Sequence, residues 1–389
     1  MINFRYHNPA KIIFGRGTEK EIETLIKQLN VKSLLMVYSG DFIKTLGIYD
    51  TVKQACNANS IKFLECGNVV PNPKVELVRE LIKVGRKDSV DFILAVGGGS
   101  SIDTAKAVAM GIPYDGDVWD FFEGKTFVEK VLPIGVISTI PASGSETSNA
   151  TIISNGLSKM GFEDDRIIPK FAIMNPEFTL DLPAYQTSCG LADILSHLLE
   201  RYFTTTKKVD TTDFLIEGAI KALLINSERI MKNPKNYDAR AEVQWLASIA
   251  HNNLLDTGRI SDWGSHRIEH ELSAQYNITH GEGMAVILVA WTKYMADIKP
   301  EKLAQLANRV FNIDYHDYSL TEMAFKLSSC FENFFKSLNL RTSLKEFDID
   351  NRYFEDMALR ATSNGTDTVG HYVPLDKSKI IEILNLARV

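Results

Sequence analysis

The sequence predicts two domains of different class: an α/β domain built on a parallel sheet over residues 1–176, and an all-helical domain over residues 177–389. Three observations carry this expectation. Short β-rich runs alternate with amphipathic helical stretches only in the first half. Long helical periodicities follow one another in the second half, where strand candidates are nearly absent. The join, "NPEFTLDLP" (175–183), carries two prolines.

Taken in order, "SLLMVY" (33–38) reads as a strand and residues 47–57 have helical spacing. "IKFLEC" (61–66) is the next strand. "PKVELVRELIKVGRK" (73–87) opens with proline and repeats apolar residues at i, i+3, i+4 and i+7, the mark of an amphipathic helix. "DFILAV" (91–96) is a continuous apolar strand, three glycines follow, and "SIDTAKAVAM" continues as a helix. "VLPIGVIS" (131–138) is strand-like again. This β-α-β-α-β order implies a parallel sheet covered by helices on both faces. Downstream, helices are expected at 184–203, 211–231, 237–255, 263–275, 283–296, 300–311, 319–337 and 375–388.

Composition narrows the function classes. The chain of 389 residues is 45% hydrophobic and 24% charged with a net charge of −6. A mildly acidic chain is a poor partner for nucleic acid or anionic membrane surfaces, which demand clustered Lys and Arg. No stretch reaches the roughly 20 apolar residues of a membrane span, and "MINFRYHNPAKIIFG" has no signal-peptide pattern. Cys56, Cys66, Cys189 and Cys330 lie far apart without a C-x-x-C pair, so they read as reduced, buried thiols of a cytoplasmic protein.

Two loops in the first half have the chemistry of a nucleotide site. In "ILAVGGGSSIDTAKAVA", Gly97, Gly98 and Gly99 stand between a buried strand and a helix, where the backbone can approach a ligand with no Cβ in the way. The helix is expected to start near Ser100, capped by its hydroxyl, with Asp103 in capping-box spacing. A free helix N-terminus favours phosphate, although neither G-x-G-x-x-G nor the P-loop pattern is met. "STIPASGSETSNA" (138–150) follows another strand and is dense in hydroxyls, among them Thr139 and Ser143. Loops at the carboxyl ends of neighbouring strands are where open α/β sheets bind ligands.

The second half gathers histidines. "SHRIEHELSAQYNITHG" (265–281) holds three of the chain's eight: His266, His270 and His280. Residues four apart share a helix face; His266 and His270 have that spacing, as do Asp193 and His197 in "GLADILSHLLE". Imidazole with carboxylate suits Fe²⁺ or Zn²⁺. Spacing alone leaves open which of the three histidines would coordinate.

"VGGGSSIDTAKA", "TIPASGSETSNA", "GLADILSHLLE" and "DWGSHRIEHELSAQYNITHG" resemble, in order, the successive signatures of the iron-containing (group III) alcohol dehydrogenases. The likeness is closest to the butanol dehydrogenase and aldehyde reductase branch and runs from "VVPNPKVE" (69–76) to His280. It implies a dinucleotide-binding domain followed by a helical metal-binding domain, the plan shared with dehydroquinate synthase. It also implies a metal on Asp193, His197, His266 and His280, with His270 near the substrate. Gly97, Gly98, Gly99, Ser100 and Asp103 fall on the pyrophosphate loop, Thr139 and Ser143 on nucleotide contacts, and Asn72 and Lys159 on further cofactor positions. Asn149 falls beside the nicotinamide. Where NADP-using members of the branch read "YGGGS", this chain reads "YSGDF" (38–42), placing Gly40 and Asp41 there. Asp41 could accept from an adenine ribose and repel a 2′-phosphate. The branch points to NADP and the residues to NAD, so the cofactor is NAD(P).

The expected chemistry is hydride exchange between NAD(P)(H) and a primary alcohol or aldehyde such as butanol or butyraldehyde, with Fe²⁺ or Zn²⁺ as Lewis acid and His270 as proton relay. A homodimer is implied by the family. The rival readings on the same plan are polyol oxidation like that of glycerol dehydrogenase and a lyase like dehydroquinate synthase.

Overall fold

The computed structural model describes residues 1–389. Eight strands form: β1 (Lys11–Phe14), β2 (Ser33–Tyr38), β3 (Lys62–Cys66), β4 (Phe92–Gly97), β5 (Ile134–Ser138), β6 (Ala150–Asn155), β7 (Ser158–Glu163) and β8 (Phe171–Met174). Six of them make one sheet in the order β1-β8-β5-β4-β2-β3, every pairing parallel. β6 and β7 form a separate antiparallel hairpin. The expected strands all form; β1, β8 and the hairpin are additions that the sequence reading did not anticipate.

Helices α1 (Ile22–Gln28), α2 (Phe42–Thr45), α3 (Ile48–Ala58), α4 (Val75–Lys87), α5 (Gly99–Gly111) and α6 (Trp119–Phe122) accompany the strands. Side chains alternate across a strand, so β2 and β4, buried along their whole length, feed two cores. Leu35, Val37, Ile93 and Ala95 pack with Val78, Leu81 and Ile82 of α4 and with Ile102 of α5. Leu34, Met36, Phe92 and Leu94 pack on the other face with Leu25 of α1 and Val52 of α3. From β2 the chain steps outward to β3, then crosses back to β4 and continues through β5 to β8. The strand order therefore reverses between β2 and β4, and the loops leaving their carboxyl ends flank a topological switch point, where such sheets bind ligands.

The remaining helices are α7 (Ala184–Tyr202), α8 (Asp210–Lys232), α9 (Tyr237–His251), α10 (Gly264–Tyr276), α11 (His280–Ile298), α12 (Glu301–Phe311), α13 (Leu320–Ser337), α14 (Phe354–Ala361) and α15 (Lys377–Leu386). α11 is buried on almost every side from Gly281 to Ala296 and packs against α7, α10, α13 and α15. A helix apolar all round is a core helix.

The chain divides into two compact units, though not at a single break near residue 176. One holds His7–Leu182 with Pro234–Asn252; the other holds Met1–Tyr6, Pro183–Asn233 and Asn253–Val389. α9 thus joins the sheet unit, and the reason is polar. Gln244 Nε2 donates to the Ser138 carbonyl at 3.3 Å, Ser248 Oγ to Glu146 at 2.5 Å, and His251 Nδ1 lies 2.6 Å from the Ser143 carbonyl. Periodicity gives a helix but not its partner.

All four cysteines are free; Cys56 and Cys189 are buried, whereas Cys66 and Cys330 are partly exposed, correcting the expectation that all are interior. No helix is long and apolar enough to cross a membrane.

Candidate metal centre and cofactor loops

In the helical unit, α7 carries Asp193 and His197 one turn apart, α10 carries His266 and His270, and His280 opens α11. Asp193, His197 and His266 are each no more than 5% exposed. Asp193, His266 and His280 each bring a ligand atom within 4.8 Å of the others. His197 completes the group: its Nδ1 is 3.5 Å from Asp193 Oδ1, and its ring centroid is 4.9 Å from that of His266. His280 Nε2 also lies 3.5 Å from Asp193 Oδ1. Burial, then the neighbouring His266 imidazole and Arg201, hold His197 well below the ordinary histidine value. That direction favours the neutral imidazole, the form in which histidine binds a metal.

The first turn of α11 reaches this place because Gly281 has no side chain. A Cβ there would stand 2.0 Å from the Cys189 carbonyl oxygen on α7. At Gly283 a Cβ would stand 2.4 Å from Glu269 Oε1. The two glycines of "HGEG" let α11 close onto both α7 and α10.

Two carboxylates that the sequence reading passed over hold two of the candidate ligand rings. Glu200 accepts from Ser265 Oγ at 2.5 Å, from the His266 backbone at 2.9 Å and from the Trp263 backbone at 2.6 Å, and its Oε1 meets His266 Nδ1 at 2.7 Å. With three other donors already on it, this carboxylate accepts the hydrogen bond of His266 Nδ1–H, which makes Nε2, 3.4 Å from Ser196 Oγ, the unprotonated nitrogen. Glu269 does the same for His280, pairing with Nδ1 while also accepting from Ser273. Helical spacing could have found both: Glu200 is three residues beyond His197, and Glu269 three beyond His266. Trp263 enters α10 at φ 65°, a left-handed conformation rare for a bulky residue, with its ring 5.1 Å from His266.

One carboxylate and three imidazoles, with outer carboxylates on two of the rings, form a donor set that fits Fe²⁺ or Zn²⁺. His270 stands aside from it, half-buried, its ring 5.6 Å from that of His280 and 6.4 Å from that of His266.

In the sheet unit, three loops meet at the switch point. Gly97 has φ +148°, beyond the reach of most side chains, and a Cβ on it would lie 3.7 Å from Ser39 Oγ, just after β2. A Cβ on Gly99 would lie 2.6 Å from Ser143 Oγ, and the Thr139 backbone donates to the Gly97 carbonyl at 3.0 Å. The hydroxyls of Ser101 and Thr139 are buried here without a hydrogen-bond partner. Orphaned hydroxyls beside a helix N-terminus suit phosphate oxygens. Asn72, at φ 53°, accepts from Lys159 Nζ at 3.1 Å, so these two candidate residues are brought together. Gly40 and Asp41 are exposed, with Asp41 paired to Lys44 at 2.7 Å. Asn149 donates to Asp165 at 3.1 Å.

The expected capping box is absent. α5 begins at Gly99 with Gly98 as N-cap and no side-chain cap, two residues too early for the Ser100 hydroxyl to serve. Asp103 instead turns into the protein, where Oδ1 accepts from Ser145 Oγ at 2.7 Å and Oδ2 from the Ile152 backbone at 3.2 Å.

Residues 9–176 match the family model of iron-containing alcohol dehydrogenases, and residues 187–388 match that of the C-terminal part of the same family. The chain is 36% identical over 388 residues to the NADH-dependent butanol dehydrogenase A of Clostridium acetobutylicum, covering 98% of this chain and 99% of the relative. It is 33% identical over 389 residues to the NADPH-dependent aldehyde reductase YqhD of Escherichia coli, at 98% and 99% coverage. The crystal structure of NADH-dependent butanol dehydrogenase A from Thermotoga maritima superposes with a TM-score of 0.95 at 36% identity, covering 100% of this chain and 99% of that one. Family models that together span nearly the whole sequence leave one conclusion: the chain belongs to the iron-containing alcohol dehydrogenase family.

Proposed function

We propose that the protein exchanges a hydride between NADH and a short primary alcohol or its aldehyde, with butanol and butyraldehyde as the representative pair. A divalent cation would be held by Asp193, His197, His266 and His280. The observation that carries this reading is the convergence of those four side chains, with Glu200 and Glu269 behind them. When bound, the cation supplies Lewis-acid polarisation of the substrate oxygen, an effect worth several kcal/mol.

The chain's own residues do the rest. Glu200 and Glu269 fix ring orientation and tautomer, so that both Nε2 atoms are ready without reorganisation. Gly97, Gly98, Gly99, Ser100, Thr139 and Ser143 present backbone N–H groups and hydroxyls to the pyrophosphate. Asn72 and Lys159 bind the cofactor, and Asn149 lies beside the nicotinamide. Asp103 acts one step back, through Ser145. Gly40 and Asp41 meet the adenine ribose, and the exposed Asp41 carboxylate favours NADH over NADPH by repelling a 2′-phosphate. His270, one turn along α10 from His266, moves the proton between substrate oxygen and solvent, since histidine exchanges protons near neutrality.

The reading includes a homodimer, with the exposed apolar side chains of Met1, Ile2, Phe4 and Tyr6 as surface for a second copy to cover. The free cysteines fit a reducing, cytoplasmic setting.

Asp193→Ala should lose bound metal and nearly all NADH-linked butyraldehyde reduction while its circular dichroism is unchanged. Elemental analysis decides, and full metal occupancy in the variant would contradict the ligand assignment. Turnover without net change at the reduced-nicotinamide absorbance would favour a lyase instead. Glu269→Gln should weaken metal binding by about 10–100-fold in a chelator competition, and an unaltered affinity removes its role. His270→Ala should keep its metal but turn over slowly with an altered pH profile; normal turnover ends the relay idea.

A further inference from the structure

Lys106 lies on α5, two turns past the glycine loop, and is completely buried. An ammonium taken out of water costs several kcal/mol unless it is fully partnered. Here Nζ sits among five oxygens: the carbonyls of Ser145 at 2.7 Å, Ser148 at 2.8 Å and Ala150 at 2.8 Å, and the hydroxyls of Ser145 at 3.0 Å and Ser148 at 3.2 Å. All five come from one stretch of chain, the end of the hydroxyl-rich loop.

That stretch is unusual. Residues 145–149 belong to no helix or strand, yet Ser145, Glu146, Thr147 and Ser148 are each at most 3% exposed. Irregular chain normally stays at the surface because its carbonyls find no partner inside. Lys106 is the partner. Asp103, one turn earlier on α5, adds a second grip: its carboxylate takes Ser145 Oγ and the Ile152 N–H, and its carbonyl takes Thr151 Oγ1 at 2.9 Å. The charge of Lys106 is balanced by Asp103 and by buried Glu146, itself held by Ser248 of α9.

We propose that Lys106 is a positioning residue for the cofactor, its five-oxygen cage fastening the hydroxyl loop to α5 so that Thr139 and Ser143 stay in register with the glycine loop. This rests on the reading of those loops as the NADH site. Without the ammonium, the Ser148 carbonyl loses its bond to Nζ, and the Ser145 and Ala150 carbonyls keep only their long bonds from the Ser148 backbone, at 3.3 Å, and hydroxyl, at 3.5 Å, so the loop is loosened. The candidate metal-binding side chains belong to the other unit, so metal content reads a different part of the chain.

The test is Lys106→Met in the full chain, read by NADH titration through protein-to-nicotinamide fluorescence transfer, by metal content, and by kcat at saturating NADH. The inference expects the dissociation constant for NADH to rise by about tenfold or more, with metal content held and kcat falling by a smaller factor than affinity. Ser145→Ala, which removes one cage oxygen and the link to Asp103, should weaken NADH in the same direction by a smaller factor. It decides the matter if Lys106→Met does not fold. Unchanged NADH affinity overturns the inference, as does loss of metal and kcat in step with affinity, which would mark a general structural role. Wild-type protein that binds neither NADH nor NADPH would instead overturn the underlying reading of the loops.

Discussion

The approach of α11 to α7 is the constraint on which the chemistry depends. A helix can present two side chains from one face, as α7 does with the candidate ligands Asp193 and His197, but not four pointing at one spot. The others must come from elements that pass close by, and His280 can come only if the helix it opens nearly touches the α7 backbone. The missing side chain at Gly281 permits that contact. Any larger residue would meet the Cys189 carbonyl, and the first turn of α11 would have to retreat. Because α11 is also the central helix of its unit, a retreat there would disturb α10, α13 and α15 together. The site and the core share one geometric condition.

Both units use buried charge to hold irregular or reactive parts in place. In the helical unit the charges are Glu200 and Glu269, each behind an imidazole. In the sheet unit they are Asp103, Lys106 and Glu146, around a loop without secondary structure of its own. Such groups are costly to bury and contribute little net stability compared with apolar packing. Their concentration around the two places where ligands are expected fits a role in preorganisation.

The sheet's centre was legible in the sequence because its strands are continuous apolar runs punctuated by turns, and the helices because their apolar stripes repeat. β1 and β8 were not: each is four residues long, β1 pairs only with β8 across about 160 residues of chain, and β8 lies between β1 and β5, none of which a local pattern encodes. The β6–β7 hairpin did carry a signal, Gly156 at the first position of its two-residue turn, where it adopts φ 58°. The i,i+4 pairs Asp193–His197 and His266–His270 pointed to the right helices, but spacing left open which histidines would coordinate, and only the family resemblance supplied the set with His280. Glu200 and Glu269 were equally visible by spacing but look like ordinary surface glutamates until burial is known. The allegiance of α9 and the cage around Lys106 were illegible, because both depend on which carbonyls a fold leaves without partners.

The measurement closest to the centre of this account is anomalous X-ray diffraction at the iron and zinc absorption edges from crystals of the intact protein. The account predicts one anomalous peak within bonding distance of the Asp193 carboxylate and the imidazoles of His197, His266 and His280. A peak seated instead between Glu269 and His270, or a cation that leaves Asp193 uncoordinated, would contradict it.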